Sequence, residues 1–162
     1  MVATLSDALT LRSKGELEQS NKVIAQLVHD EPANAALHYQ YAWSFDILGK
    51  ESKAAPHYEQ AIQLGLSGKE LEGAYVGLGS TYRTLGQYDQ SIQTFTRGLK
   101  LFPDNKALQT FLAMTLYNEN RHAEAMELLL NALASSSNDP TIQEYKKAIL
   151  FYSDKLDQTW LD

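Results

Sequence analysis

The sequence has no cysteine among its 162 residues, and this absence excludes a disulfide framework, a thiolate metal site and a thiol nucleophile. It also lacks an apolar run close to the roughly 20 residues that span a bilayer, and a basic leader followed by an apolar core. The formal charge of −6 is unfavourable for binding nucleic acid or an anionic membrane. We therefore expect a cytoplasmic protein that binds neither of them.

Signatures of catalysis are equally scarce. Val76–Gly79 has two glycines at the separation of a nucleotide loop, but the third glycine is missing and the stretch lies in a helical pattern. No nucleophile elbow or phosphate-cradling loop occurs. We expect no enzymatic activity, no metal and no cofactor. Four histidines show no metal-ligand spacing and are expected on the surface or between helices: His29, His38, His57 and His122.

A turn residue, in contrast, returns at a nearly constant period. Gly15, Gly49, Gly86 and Asn120 each separate two helical patterns, and they are 34, 37 and 34 residues apart. Glycine adopts the positive φ that often ends a helix without steric penalty, and asparagine tolerates it next best. The sequence therefore predicts four pairs of helices.

Small and large side chains alternate in register with these turns. Small residues opposite large apolar ones allow paired helices to approach closely and to form one continuous core. The small residues are Ala8, Ala42, Gly79 and Ala113 in the first helices, and Ser20, Ala54, Ser91 and Ala125 in the second helices. The large residues are Leu11, Phe45, Tyr82 and Leu116, and then Ile24, Tyr58, Phe95 and Leu129.

The stretch from Glu72 to Asn105 shows the unit most clearly. It contains Tyr75, Leu78-Gly79, Tyr82, Ser91, Phe95, Gly98 and Pro103 in this order. This order of aromatic, Leu-Gly, aromatic, small, aromatic, small and proline resembles one tetratricopeptide repeat, whose period is 34 residues. The resemblance implies an all-α fold, a right-handed α-α superhelix of stacked helical hairpins. One domain would cover 1–162, with repeats at about 1–34, 35–68, 72–105 and 106–137.

A further helix is expected after the fourth repeat. Asp139 provides an N-cap and Pro140 a first-turn proline. Arrays of this family commonly close with an extra helix, so the resemblance implies a capping helix over about 139–158. Before the third repeat, Ser67 and Glu70 have the spacing of a capping box. The apolar face of the capping helix would be formed by Ile142, Tyr145, Ile149, Tyr152 and Leu156.

The resemblance also implies a binding surface, because in this family the first helix of each repeat lines a concave groove that holds the ligand. Members that bind chaperone tails use a clamp of Lys, Asn and Arg. Here the clamp positions hold Leu5, Leu9, Gln40, Gly73 and Gly77, so this clamp is absent. The implied groove is apolar and aromatic, and its residues are Arg12, Tyr39, Gln40, Trp43, Asp46, Arg83, Phe111, Met114, Tyr117 and Asn118.

Three functional hypotheses follow. The first is an adaptor whose groove binds a peptide or helix of another protein through apolar burial, with aromatic anchors. The second is a self-associating structural protein, a homodimer formed through the groove, the C-terminal helix or Trp160. The third is a regulatory subunit or a catalytic domain with an unrecognised site. The groove side chains could also be packing residues, and the C-terminal helix could fill its own groove or that of a second copy.

Overall fold

A computed structural model describes residues 3–161. Over these residues the chain forms helices and no strand, which confirms the predicted all-α class. The chain divides into two compact units, one ending at Gln87 and the other beginning at Tyr88. The first unit contains α1 (Leu5–Ser13), α2 (Leu17–Asp30), α3 (Ala35–Asp46), α4 (Glu51–Gln63) and α5 (Gly68–Thr84). The second contains α6 (Tyr88–Leu101), α7 (Lys106–Asn118), α8 (His122–Ser136), α9 (Pro140–Glu144) and α10 (Lys146–Tyr152).

The first unit is built from successive helical hairpins. Helix α1 packs on α2, α2 on α3, α3 on α4, and α4 on α5, while α3 also contacts α5. Its two apolar clusters lie between these helices, because small residues let large neighbours interlock. One cluster contains Ala42, Phe45, Ala54, Tyr58, Ala74, Leu78 and Tyr82, and the other contains Ala8, Ile24, Val28 and Leu37.

The second unit contains one full hairpin with a helix on either side of it. Helix α7 packs on both α6 and α8, and α10 packs on α8. Phe95 and Leu108 are fully buried in this unit. A hydrogen bond of 2.9 Å joins the buried hydroxyl groups of Ser91 on α6 and Thr115 on α7. Both small-residue series predicted from the sequence are buried throughout the chain.

The predicted turn residues all adopt the expected backbone conformation. The φ angles are 82° at Gly15, 65° at Gly49, 73° at Gly86 and 59° at Asn120. Each of these residues lies between the two helices of a predicted pair. The four predicted turns between paired helices are therefore confirmed.

The ends of two elements differ from the predictions. Helix α5 begins at Gly68, and its N-cap Ser67 makes no side-chain capping bond, so the predicted capping box is wrong. Near the C-terminus, Asp139 accepts hydrogen bonds from the backbone N–H groups of Thr141 and Ile142, as an N-cap does. The helix then stops at Glu144 and a second one ends at Tyr152, where a single helix over 139–158 was expected.

The repeat boundaries and the single domain over 1–162 stay predictions. Helices α5 and α6, which would form the third repeat, belong to different compact units. Met1, Val2 and Asp162 belong to the predicted domain but lie outside the described residues. Within 3–161, none of the helices combines the length and the apolar character that crossing a membrane requires.

Candidate functional site

The ten residues predicted to line a groove are divided between the two units, and each set is described by itself. The first set occupies α1, α3 and α5, which are the first helices of their predicted pairs. The second set lies on α7 alone. The first set is Arg12, Tyr39, Gln40, Trp43, Asp46 and Arg83, and the second is Phe111, Met114, Tyr117 and Asn118.

Arg12 joins α1 to α3 through one residue, Gln40. Its Nη1 donates to the Gln40 side-chain oxygen at 2.9 Å, and its Nη2 donates to the Gln40 backbone carbonyl at 3.1 Å. Gln40 is only 8% exposed, so its amide oxygen is satisfied inside the chain by a charged donor. Such bonds are stronger than those between neutral groups. We therefore assign Gln40 the role of holding Arg12 in position.

Trp43 forms an exposed aromatic surface next to this pair. The Arg12 guanidinium lies over its indole ring, 4.7 Å from the centroid, which is the geometry of a cation–π contact. The Tyr39 ring packs against the indole at a centroid distance of 6.2 Å. Trp43 nevertheless remains 43% exposed, and Leu9 and Ile47 on the same helix faces are 38% and 36% exposed. We call these five residues the aromatic face.

Asp46 lies on α3 but its carboxylate points into the chain. It accepts hydrogen bonds from the hydroxyl groups of Tyr58 at 2.7 Å and Thr81 at 3.0 Å, which connect α3 to α4 and α5. Burial raises the pKa of the Asp46 carboxyl above its ordinary value, although the two hydrogen bonds act in the opposite direction. Burial and the neighbouring Asp46 also raise the pKa of the Tyr58 hydroxyl. This carboxylate therefore connects helices, although Asp46 is predicted from the sequence to line the groove.

Two glycines on α5 allow the tyrosines to lie close to its backbone. A Cβ atom on Gly73 would lie 2.3 Å from the Tyr39 hydroxyl oxygen, and one on Gly77 would lie 2.4 Å from Cζ of Tyr58. These distances are far below van der Waals contact. From the sequence, both glycines are lost clamp positions, and Gly77 is also one of the two glycines of Val76–Gly79 in a helical pattern. Their contact with the tyrosines was missed, and no local signal in the sequence links residues so far apart.

Arg12, on the aromatic face, makes no ion pair among residues 3–161. No carboxylate of residues 3–161 lies within 4.0 Å of the Arg12 nitrogens. The Nε atom of Arg12 is buried and has no hydrogen-bond partner among these residues. Burial lowers the pKa of the Arg12 guanidinium below its ordinary value, because desolvation disfavours the charged form. This part of the protein is therefore suited to an anionic group.

The predicted residues of the second unit form a less uniform surface. Phe111 is half-buried, and its ring stacks on the fully buried Phe95 at a centroid distance of 6.4 Å, so it also serves the core. Met114 and Tyr117 are 38% and 63% exposed, and Asn118 is half-buried. In the first unit, Arg83 is half-exposed on α5. A binding role for these residues stays a prediction.

A histidine pair lies between α3 and α4, which is one of the two placements expected from the sequence, although the contact between the two rings was not predicted. His38 Nε2 lies 2.9 Å from the Pro32 carbonyl oxygen, and the two Nδ1 atoms of His38 and His57 are 3.0 Å apart. Because a carbonyl only accepts, His38 donates from Nε2, and in the neutral ring its Nδ1 then accepts the proton that His57 Nδ1 donates. His57 also packs on Tyr41 and Phe45. The pair is a packing element, and residues 3–161 contain no group of three or more His, Cys, Asp or Glu side chains able to hold a metal ion.

Comparison with known proteins shows to which family the chain belongs. A family model described as tetratrico peptide repeat matches residues 34–156, which is most of the chain. The chain belongs to the tetratricopeptide repeat family. Membership confirms the predicted resemblance and supports a role as a protein–protein interaction module.

The relatives of this tetratricopeptide repeat protein are distant. It is 26% identical over 134 residues to the Hsp70-Hsp90 organising protein of Plasmodium falciparum, covering 83% of this chain and 51% of that protein. It is 23% identical over 139 residues to Superkiller protein 3 of Saccharomyces cerevisiae, covering 83% of this chain and 10% of that protein. The chain therefore spans about half or less of the length of these relatives.

The fold is shared with solved tetratricopeptide structures. MamA 41-end from Desulfovibrio magneticus RS-1 is similar with a TM-score of 0.75 at 17% sequence identity, covering 83% of this chain and 76% of that one. At this level of identity the similarity shows the fold alone.

Proposed function

We propose that this chain is a non-catalytic adaptor that binds a peptide or helix of another protein on its aromatic face. One observation carries the proposal: an indole ring that is 43% exposed is held in a fixed position by a cation and a neighbouring tyrosine ring. Rigid aromatic side chains are frequent anchors of protein interfaces. A partner would bury its own apolar side chain against Trp43, Leu9 and Ile47.

Charge complementarity selects the chemistry of the partner segment. Arg12 is half-buried and has no carboxylate within 4.0 Å among residues 3–161. A carboxylate from the partner would compensate this charge in a partly desolvated environment, where such pairs are stronger than in water. We therefore propose a segment with an Asp or Glu next to an apolar or aromatic residue.

The proposed binding differs from that expected of a chaperone-tail clamp. The name of the Plasmodium falciparum relative describes a protein that organises Hsp70 and Hsp90. In this chain, the positions that correspond to the clamp hold residues such as Leu9, Gly73 and Gly77, which offer no charge. The aromatic face is therefore expected to bind an internal segment rather than a C-terminal tail. A cytoplasmic location remains part of the proposal.

Selection from a random-peptide display library tests this function without knowledge of the natural partner. Peptides retained on the wild-type protein are re-screened on Trp43→Ala and on Trp160→Ala. Trp160 is a matched control because it is 58% exposed and lies in the other unit. We expect Trp43→Ala to lose the acidic and aromatic peptides and Trp160→Ala to retain them. Equal retention by both variants would rule out the aromatic face.

Self-association is the second candidate function. It is favoured by exposed aromatic side chains in α10 and in the segment that follows it: Phe151, Tyr152 and Trp160. These residues lie in the second unit, separate from the aromatic face.

A further inference from the structure

Apolar side chains are concentrated on the surface of α10. Five of its seven residues are apolar, in the sequence KKAILFY, yet none of them is buried. A helix that is apolar on most sides is typical of a segment enclosed by several neighbours, whereas this one packs on α8 and leaves much of its surface exposed. We define the C-terminal patch as Tyr145, Leu150, Phe151, Tyr152, Leu156, Trp160 and Leu161.

Three of the four rings of the C-terminal patch form one cluster. Phe151 and Tyr152 meet edge to face at a centroid distance of 5.0 Å, and Trp160 lies 6.3 Å and 5.4 Å from them. Lys155 donates to the Phe151 carbonyl at 3.0 Å, and its ammonium lies 4.8 Å from the centroid of the same ring. The aromatic surface is thus positioned before any partner arrives, which lowers the entropic cost of binding.

The size of the patch matches half of a dimer interface. Its four aromatic side chains are 45–61% exposed, and at about 200 Å² each they offer about 400 Å² of accessible ring surface. The three leucines raise the exposed apolar area to roughly 600 Å², at the upper end of the largest patches on monomers. A stable interface buries about 600–1,000 Å² on each side. A second copy would therefore bury enough surface.

The charges around the patch are self-complementary. Between Glu144 and Leu161 there are three lysines and three carboxylates, although the chain as a whole carries −6. Lys146 and Lys147 begin α10 shortly after Glu144, while Asp154 and Asp157 follow the helix and flank Lys155, which pairs with Asp154. The segment 153–158 lies beside Ala123, Glu124 and Glu127, at the start of α8. The start of the patch therefore carries a net positive charge and its end a net negative charge.

We propose that a second copy of this chain docks on the C-terminal patch through a two-fold axis, with the two α10 helices antiparallel. This arrangement brings the lysines of one copy opposite the aspartates of the other, and it places the rings of Phe151 and Tyr152 near the axis. A two-fold interface must be complementary to itself, which the opposite charges at the two ends provide. The inference deepens the self-association candidate and is independent of peptide binding on the aromatic face.

Sedimentation velocity on the full chain between 1 and 100 µM tests the proposal. Wild type is expected to change from monomer to dimer over this range, and Phe151→Asp to stay monomeric with an unchanged helical circular dichroism spectrum. Leu101→Asp is the matched control, because Leu101 is 57% exposed on α6 and lies outside the patch, and it should still dimerise. A wild type that is monomeric at 100 µM, or a Phe151→Asp variant that dimerises normally, would overturn the proposal.

Charge reversal tests the antiparallel geometry. Lys147→Glu and Asp157→Lys each place like charges opposite each other in the dimer, so each alone should weaken dimerisation at least tenfold. An equal mixture of the two variants restores opposite charges at both contacts and should dimerise as wild type does. A mixture no tighter than either variant alone would contradict this arrangement.

A peptide-binding measurement tests the dimer interface and the adaptor function independently of each other. The monomeric Phe151→Asp variant should still bind the peptides selected on the aromatic face. Dimerisation without peptide binding would refute only the adaptor function, and peptide binding by a wild type that never dimerises would refute only the interface.

Discussion

The guanidinium of Arg12 lies 4.7 Å from the centroid of the Trp43 ring, and two hydrogen bonds to Gln40 fix it there. This relationship joins α1 to α3 and makes one half-exposed ring part of a rigid surface. It also leaves the positive charge of Arg12 without an acidic neighbour within 4.0 Å among residues 3–161. Arg12 therefore stabilises the contact between α1 and α3 and is also the residue proposed to bind a carboxylate of the partner.

Arg12→Lys should lower the free energy of unfolding by about 1–2 kcal/mol, because an ammonium group cannot make both bonds to Gln40 and stack on the ring. Urea denaturation measures this change. Arg97→Lys on the exposed surface of α6 is the control and should shift stability by less than about 0.5 kcal/mol. Equal effects of the two substitutions would show that the Arg12 contacts do not stabilise the fold.

Gly77→Ala should destabilise the protein although alanine is the better helix former. The new Cβ would lie 2.4 Å from Cζ of Tyr58, a side chain that is 2% exposed and bonded to Asp46. Overpacking of this kind costs about 1–3 kcal/mol, more than the gain of about 0.5–1 kcal/mol in helix propensity. Thermal and urea unfolding measure the sum of both effects.

A double-mutant cycle identifies the cause of that loss. In a Tyr58→Leu background the aromatic ring is absent, so Gly77→Ala should cost much less than in wild type. An equal cost in both backgrounds would exclude the contact with Tyr58 as the reason.

His57 should make stability depend on pH. Burial, and after it the neighbouring His38, hold the pKa of His57 below its ordinary value, which is about 6.5 in the unfolded chain. Between these two pKa values the folded state binds fewer protons at His57 than the unfolded state does. The stabilisation that neutral His57 contributes is therefore complete above about pH 6.5 and is lost as the pH falls toward the lowered pKa. Free energies of unfolding measured at pH 5.5 and 7.5 give the slope of stability against pH.

The variant His57→Phe keeps the ring contacts with Tyr41 and Phe45 and removes this titration. Its stability should change less between pH 7.5 and 5.5 than that of wild type. His29→Gln, at an exposed position on α2, is the control and should keep the wild-type slope. Identical slopes for all three proteins would exclude His57 as the source.

The repeated architecture could be predicted because it is encoded locally. A positive φ at a turn demands Gly or Asn, and close helix packing demands small residues at fixed intervals. Asn120 illustrates this point, because its place in the series of turns predicted its conformation, with φ of 59°. Such signals act within one helix pair and can be read from the sequence alone.

The polar contacts beneath the aromatic face could not be predicted in this way. Asp46 bonds to Thr81, which lies 35 residues further along the chain, and both resemble ordinary surface residues in a helical pattern. The predicted C-terminal helix ends early, at Tyr152, for another reason. Ser153 is buried and its hydroxyl donates to the Leu150 carbonyl at 2.9 Å, a local bond that competes with helix continuation.

Fluorescence of Trp43 tests the adaptor function most directly. The chain has two tryptophans, so Trp160→Phe leaves Trp43 as the single reporter, and this protein is titrated with an acidic, aromatic peptide from the selection. We predict a saturable blue shift, because the partner covers an indole that is 43% exposed, and at least tenfold weaker binding after a further Arg12→Gln substitution, about 1.4 kcal/mol. Saturable binding that leaves the Trp43 emission unchanged and is insensitive to Arg12→Gln would contradict the proposal.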